Sequence, residues 1–205
     1  MHSPRGVLGF GQTKGRLTSR LGMANKSFGG LTLFCGKSWR EMKVFLASDH
    51  AGWALKEEVK KMLLRKDFEA RDFGAFSLEP SDDYPDYIIP CCEAVAKENA
   101  GNQNAGGKKG GENVFGIVFG GSGIGESIAA NKVNGIRAAI AYSEETAKLC
   151  REHNNSNVLC LGGRTMKPKD AKKFVEIFLR TKFSGKERHA RRLKKISWYE
   201  NKTRH

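Results

Sequence analysis

From Met42 onward, apolar runs of strand length alternate with stripes of helical period. KVFLAS (43–48) reads as a buried strand, and Leu55, Val59, Met62 and Leu63 follow at i, i+4, i+7 and i+8, the stripe of an amphipathic helix. Phe68 to Asp72 is a short second strand. Pro85 then breaks the chain before a helix expected from about Tyr87 to Asn99, and NVFGIVF (113–119) is the third strand. The remaining pairs are a helix at Glu126–Asn131 with a strand at GIRAAIA (135–141), a helix at Ser143–Glu152 capped by Ser143 with a strand at NVLCLG (157–162), and a closing helix at Pro168–Arg180. Such alternation predicts an α/β fold: a doubly wound, Rossmann-like parallel sheet of about five strands, covered by helices on both faces.

Between the helix ending near Asn99 and the third strand, AGNQNAGGKKGGE (100–112) has no apolar residue larger than Ala and reads as a solvated loop insertion. Residues 1–41 lack the pattern. They are read as a basic extension, with three origins left open: a disordered arm, an organelle transit peptide, or a start placed upstream of Met42. The expected organisation is therefore a folded domain over 42–197 and a short tail at 198–205.

The net charge of +14 changes this picture only at the ends. Residues 1–40 hold seven Lys/Arg and no acid, residues 181–205 hold nine against two, and the stretch between carries 20 of each sign. The expectation is no nucleic-acid partner, because that charge is not spread over the fold. No apolar run approaches the roughly 18–20 residues of a membrane span, so no membrane partner is expected. The five cysteines form no CxxC, and no His stands at ligand spacing from them. Neither a disulfide framework nor a metal site is indicated, no cofactor is expected, and the compartment is read as reducing and cytoplasmic, with an organelle as the alternative.

In an open parallel sheet, ligands collect beyond the carboxyl ends of the strands. Those positions hold Ser48-Asp49-His50, Gly120 to Gly125, and Gly162-Gly163-Arg164. The glycine loop is not a P-loop, because Glu126 stands where GxxxxGK[ST] needs Lys; Gly121, Gly123 and Gly125 give GxGxG, not the dinucleotide fingerprint. It can be a tight strand-to-helix turn with Glu126 favourable to the helix dipole. Alternatively its backbone N–H groups form an oxyanion hole, Ser122 holds a substrate oxygen, and Glu126 takes a proton from carbon, its pKa lowered by the helix start. That second arrangement is what an aldose–ketose isomerase needs.

ASDHAG (47–52), DYPDY (83–87), GGSGIGESIAANK (120–132), GIRAA (135–139) and REHNNSNVLCLGGR (151–164) resemble the signature stretches of the type B ribose-5-phosphate isomerases and their sugar-phosphate isomerase relatives, in order from Lys43 to Ile196. The resemblance implies a three-layer α/β/α fold with an extra C-terminal helix, no metal, and a homodimer with shared sites, a tetramer being the alternative. It implies interconversion of ribose 5-phosphate and ribulose 5-phosphate through an enediolate, with six-carbon substrates (galactose 6-phosphate, allose 6-phosphate) or a non-catalytic sugar-phosphate-binding module as rival readings. By motif, Glu126, Ser122, His153 and Asp49 would be catalytic, His153 in ring opening. His50, Tyr84, Gly121, Gly123, Gly125 and Asn154 would bind the sugar, and Arg164, Arg188 and Arg192 its phosphate. Each has a plainer reading: Asp49 as a helix cap, His153 as a satisfied histidine, Arg188 and Arg192 as a solvated helix face. Many members of the family carry a cysteine base where this chain has Gly120, and others a glutamate at the position of Glu126; this chain fits the second pattern.

Overall fold

The structure is a computed structural model and describes residues 42–104 and 114–202. The readings made for residues 1–41 and for most of the 100–112 stretch lie outside the described residues. Five strands, β1 (Lys43–Ser48), β2 (Glu69–Asp72), β3 (Val114–Gly120), β4 (Ala138–Ile140) and β5 (Val158–Gly162), form one sheet in the order β2-β1-β3-β5-β4. Every pair is parallel. Six helices complete the chain: α1 (His50–Arg65), α2 (Pro85–Asn104), α3 (Ile124–Ala130), α4 (Glu144–Asn154), α5 (Pro168–Arg180) and α6 (Glu187–Lys202).

Period-two alternation sorts the strands' side chains into two cores. Val44, Leu46, Phe115, Ile117, Phe119, Leu159 and Leu161 face one way, where α1, α4 and α5 supply Leu55, Val59, Leu63, Ala147, Phe174, Val175 and Phe178. Phe45, Ala47, Val114, Val118, Val158 and Cys160 face the other, against Ile88, Cys91, Cys92 and Val95 of α2 and Ala129 and Ala130 of α3. The central strands are apolar throughout because both faces are covered. The architecture is the doubly wound α/β sandwich expected from the alternation.

Several boundaries differ from expectation, each for a local reason. Pro85 does not break the chain ahead of α2 but is its first residue, a position where the missing N–H costs no hydrogen bond. α2 also runs on through Gly101 to Asn104, so the first residues expected in the loop are helical. Its end is tied to β3: the Asn99 side chain donates to the Val114 carbonyl at 2.9 Å and accepts from the Val114 N–H at 3.3 Å. β4 shrinks to three residues: Asn157 accepts the Arg137 N–H just before it, and Asn131 pairs to both backbone groups of its first residue, Ala138. The C-terminal basic segment is helical to Lys202, past the expected boundary at 198. The cap at Ser143 stands as read, reinforced by Thr146 in a capping box. Among the described residues no helix is long and apolar enough to cross a membrane.

One buried residue breaks the apolar stripe of α1. Lys56 is fully buried, and its Nζ donates to both carboxylate oxygens of Asp72 (2.7 and 2.9 Å) and to the Ala75 carbonyl (2.6 Å). Burial pushes the Asp72 carboxyl up, but Lys56, Lys60 and the Gly74 N–H together hold it below its ordinary value. Lys56→Met leaves that carboxylate short of a partner and is expected to destabilise the fold by about 2–4 kcal/mol. The loss should appear as a lower urea midpoint with an unchanged m-value. A depressed carboxylate pKa contributes stability above its unfolded value and loses it as pH falls through the folded one, so the variant and parent should converge towards acid pH.

Candidate active site

Three loops leave the carboxyl edge of the sheet and lie against one another. Asp49 follows β1 directly, buried, and its Oδ1 accepts the Gly52 N–H at 2.9 Å, so the capping role is real. The first turn of α1 rests on the exit of β3: a Cβ on Gly52 would stand 2.5 Å from the Phe119 carbonyl carbon. The loop after β5 continues the ladder onto the loop after β3, with Gly163 N–H donating to the Gly120 carbonyl at 2.7 Å and Arg164 N–H to that of Gly121 at 3.0 Å. The Arg164 guanidinium lies over Gly121. Gly123, with φ of +84°, makes the left-handed turn into α3, and the exposed Ser122 Oγ accepts from the Ile124 N–H.

Glu126 is the centre of this edge. It is 4% exposed, and its carboxylate lies against Gly120 so closely that a Cβ on Gly120 would overlap Oε1 and Cδ. Burial raises its pKa, and the nearby Asp49 charge adds to the rise; the N–H groups of Glu126 itself and Gly123 pull the other way without prevailing. This corrects the expectation that the helix start lowers the pKa. Desolvation outweighs the backbone donors. A carboxylate with raised proton affinity is a stronger base than an ordinary surface glutamate.

Around it stand two side chains that reach the same edge. The Tyr84 ring packs over Gly125, where a Cβ would lie 2.9 Å from its Cζ. The His50 ring bonds through Nδ1 to Asp82 Oδ1 at 2.6 Å, and the His50 N–H donates to the same oxygen at 2.9 Å. A carboxylate accepts only, so Nδ1 carries the hydrogen and Nε2 is left as the ring's outward atom. Asp82, whose side chain is 4% exposed, is a residue the sequence reading missed. Its signal was the acidic run Ser81-Asp82-Asp83 immediately before Tyr84, one place upstream of DYPDY.

The remaining candidates are elsewhere. α4 starts beyond the carboxyl end of β4 and delivers the chain to the amino end of β5, so His153 and Asn154 in its last turn lie at the opposite edge of the sheet. Eleven helical residues separate the edges by about 16 Å. There the His153 ring packs on His189 with centroids 4.3 Å apart, and the exposed Arg188 and Arg192 occupy the same turns of α6. The structure thus gathers Asp49, His50, Tyr84, Gly121, Ser122, Gly123, Gly125, Glu126 and Arg164 into one group, and His153, Asn154, Arg188 and Arg192 into another. The four described cysteines are in neither: all are buried, and burial pushes the Cys92 thiol up to about 12 and Cys150 to about 11. They are not thiolate bases.

A family model described as Ribose/Galactose Isomerase matches residues 44–196. The chain is 42% identical over 159 residues to a protein of Mycolicibacterium paratuberculosis named ribose-5-phosphate isomerase B, covering 78% of this chain and 92% of that one. Its structure is similar to that of the ribose-5-phosphate isomerase B of Mycoplasma genitalium with bound ribulose-5-phosphate (TM-score 0.69, 39% identity, 78% of this chain and 97% of that one). It is similar also to that of Clostridium thermocellum (TM-score 0.70, 40% identity, 79% and 99%).

The seat of Glu126 makes a prediction that needs no substrate. Gly120→Ala places a methyl group where the carboxylate lies and must turn it out towards water. Its pKa, followed by carboxyl ¹³C NMR titration, is then expected to fall from its raised value towards that of an ordinary glutamate, with circular dichroism unchanged. A titration identical to the parent's would mean that the carboxylate does not occupy that space.

Proposed function

The chain belongs to the ribose/galactose isomerase family, and we infer that it is an aldose–ketose isomerase interconverting ribose 5-phosphate and ribulose 5-phosphate, a step of the non-oxidative pentose phosphate branch. The observation that carries this reading is the buried Glu126 carboxylate, raised in proton affinity and seated against Gly120 at the start of the glycine loop. In the open-chain aldose, Glu126 removes the proton on C2. The electron pair forms the C1–C2 double bond, and the negative charge moves to O1. N–H groups of the Gly121–Gly125 loop, other than those of Gly123 and Ile124 that already bond Glu126 and Ser122 Oγ, stabilise that enediolate oxygen together with the Ser122 hydroxyl. Protonated Glu126 returns its proton to C1, while the O2 proton passes to O1 and leaves the ketone. Asp49 and His50 hold the sugar's hydroxyls, with Tyr84 closing one side. Names of the relatives favour the five-carbon sugar over galactose 6-phosphate or allose 6-phosphate.

His153 opens the furanose ring by moving the O1 proton to the ring oxygen, beside Asn154, and Arg188 and Arg192 with Arg164 bind the phosphate. In one chain Arg164 shares the edge of Glu126, but His153, Asn154, Arg188 and Arg192 are at the wrong edge to meet it. The reading therefore requires a homodimer in which the partner supplies them. Exposed apolar side chains beside each group support it, Ile124 and Ile128 on α3 and Trp198 and Tyr199 on α6, since a second copy would cover them. The mechanism calls on no metal.

Glu126→Gln is expected to lower kcat on ribose 5-phosphate, assayed with a chelator present, by about 10²–10⁴ with little change in KM. It should also raise stability at neutral pH. A carboxylate whose folded pKa lies above its unfolded one favours folding only when protonated, and that contribution is lost as pH rises through the folded value; Gln removes the loss. Turnover near the parent's would sink the carboxylate base.

Shared sites are tested by mixing. Glu126→Gln and His153→Ala subunits, each inactive alone, form heterodimers with one intact site in two. Unfolding and refolding an equal mixture should recover about one quarter of parental activity if sites are shared, and none if each chain holds its own site.

A further inference from the structure

His189 is the buried residue of α6, 3% exposed in a helix whose neighbouring arginines face solvent. Three side chains meet it. Arg188 Nε donates to its Nε2 at 3.1 Å, its Nδ1 lies 2.7 Å from Ser184 Oγ, and its ring packs on that of His153 with a 42° interplanar angle. The first contact assigns the proton. A guanidinium can only donate, so Nε2 is unprotonated, Nδ1 carries the hydrogen, and that hydrogen goes to Ser184 Oγ. Ser184 is fixed in turn, because its N–H donates to the Glu152 carbonyl at 2.9 Å in the last turn of α4. Burial lowers the His189 pKa, and the charges of His153, Arg188, Arg192 and Lys186 lower it further, which keeps the ring neutral as the Arg188 contact requires.

We propose that His189 is a positioning residue that sets the phosphate-binding arginine and the ring-opening histidine with one side chain: its Nε2 orients Arg188, and its ring face orients His153. The proposal rests on the isomerase reading above. Arg188 is a long exposed side chain with many rotamers. Held at Nε, it turns both terminal NH₂ groups outward together, the geometry that binds a phosphate through two parallel hydrogen bonds. The His153 ring, packed on a fixed neighbour, loses the freedom to rotate about its terminal torsion. Ser184 ties the arrangement to α4, which carries His153, so that α4 and α6 present the two groups as one surface.

A residue that merely anchors α6 would do none of this selectively, and two substitutions separate the roles. His189→Phe keeps an aromatic face for His153 but has no acceptor for Arg188. His189→Gln keeps an acceptor at the position of Nε2 but has no ring. With ribose 5-phosphate, the Phe variant is expected to raise KM about fivefold or more with kcat within about twofold of the parent, and the Gln variant to show the reverse split. Equal losses in both parameters for both variants, or no change in either, would overturn the proposal and leave His189 as an anchor. For the parent itself, ¹⁵N-edited imidazole spectra at neutral pH should show His189 as the neutral tautomer with hydrogen on Nδ1; an Nε2–H or doubly protonated ring overturns the proposal even if a variant fails to fold. An inactive parent would instead bring down the isomerase reading, so the two failures are distinguishable.

Discussion

At the carboxyl edge of the sheet, main chain touches main chain. The first turn of α1 lies on the exit of β3 with no side chain between them at Gly52, and a Cβ on Gly163 would stand 2.6 Å from the Ala51 carbonyl oxygen. With the Gly163 N–H bonded to the Gly120 carbonyl, three loops from the sheet's adjacent strands β1, β3 and β5 become one rigid surface. Asp49, the 121–125 loop and Arg164 take their places from these contacts rather than from side-chain packing. Sites built on such close approach hold their donors in position before any ligand arrives, which is what stabilisation of a developing negative oxygen requires.

The same closeness decides the chemistry of Glu126. A helix start and two backbone N–H groups would by themselves hold a carboxylate low, yet the residue is pressed against Gly120 and out of water, and desolvation with the Asp49 charge wins. Gly120 therefore does more than turn the chain. Its missing side chain is the space the carboxylate fills, so a larger residue at that position and a glutamate seated at 126 exclude each other sterically.

Much of the fold was legible because it is written in short-range signals. The limits of β1 and α5, the buried stripe of α1 and the Ser143 cap follow from apolar period and capping chemistry, and the structure has them where they were read. Pro85 was misread because proline breaks a helix interior but suits its first turn, and local sequence does not say which applies. Lys56 and Asp82 were missed because their partners, Asp72 and His50, are set by tertiary contact. The direction of the Glu126 shift depended on burial, which spacing cannot supply. The separation of the candidate residues into two groups was, by contrast, implicit: GGSGIG follows its strand whereas REHNN precedes its own, and in a parallel sheet those are opposite ends.

Charge follows the same division. The centre of the chain is balanced while residues 181–205 hold nine Lys/Arg against two acids, and Arg188 and Arg192 of that segment stand on α6 beside His153, at the edge away from Glu126. Cations beside Glu126 would favour its ionised form and weaken it as a base, whereas a phosphate dianion needs them. With the cationic helix on one edge and the buried carboxylate on the other, Arg188 and Arg192 are kept from Glu126 within a chain, and of the three arginines assigned to the phosphate Arg164 alone shares its edge. In a site assembled from two chains, the length of the sugar phosphate would still separate them, and the bound dianion would offset the arginines' field at the carbon being deprotonated. A positive surface of this kind also draws small anions from solution.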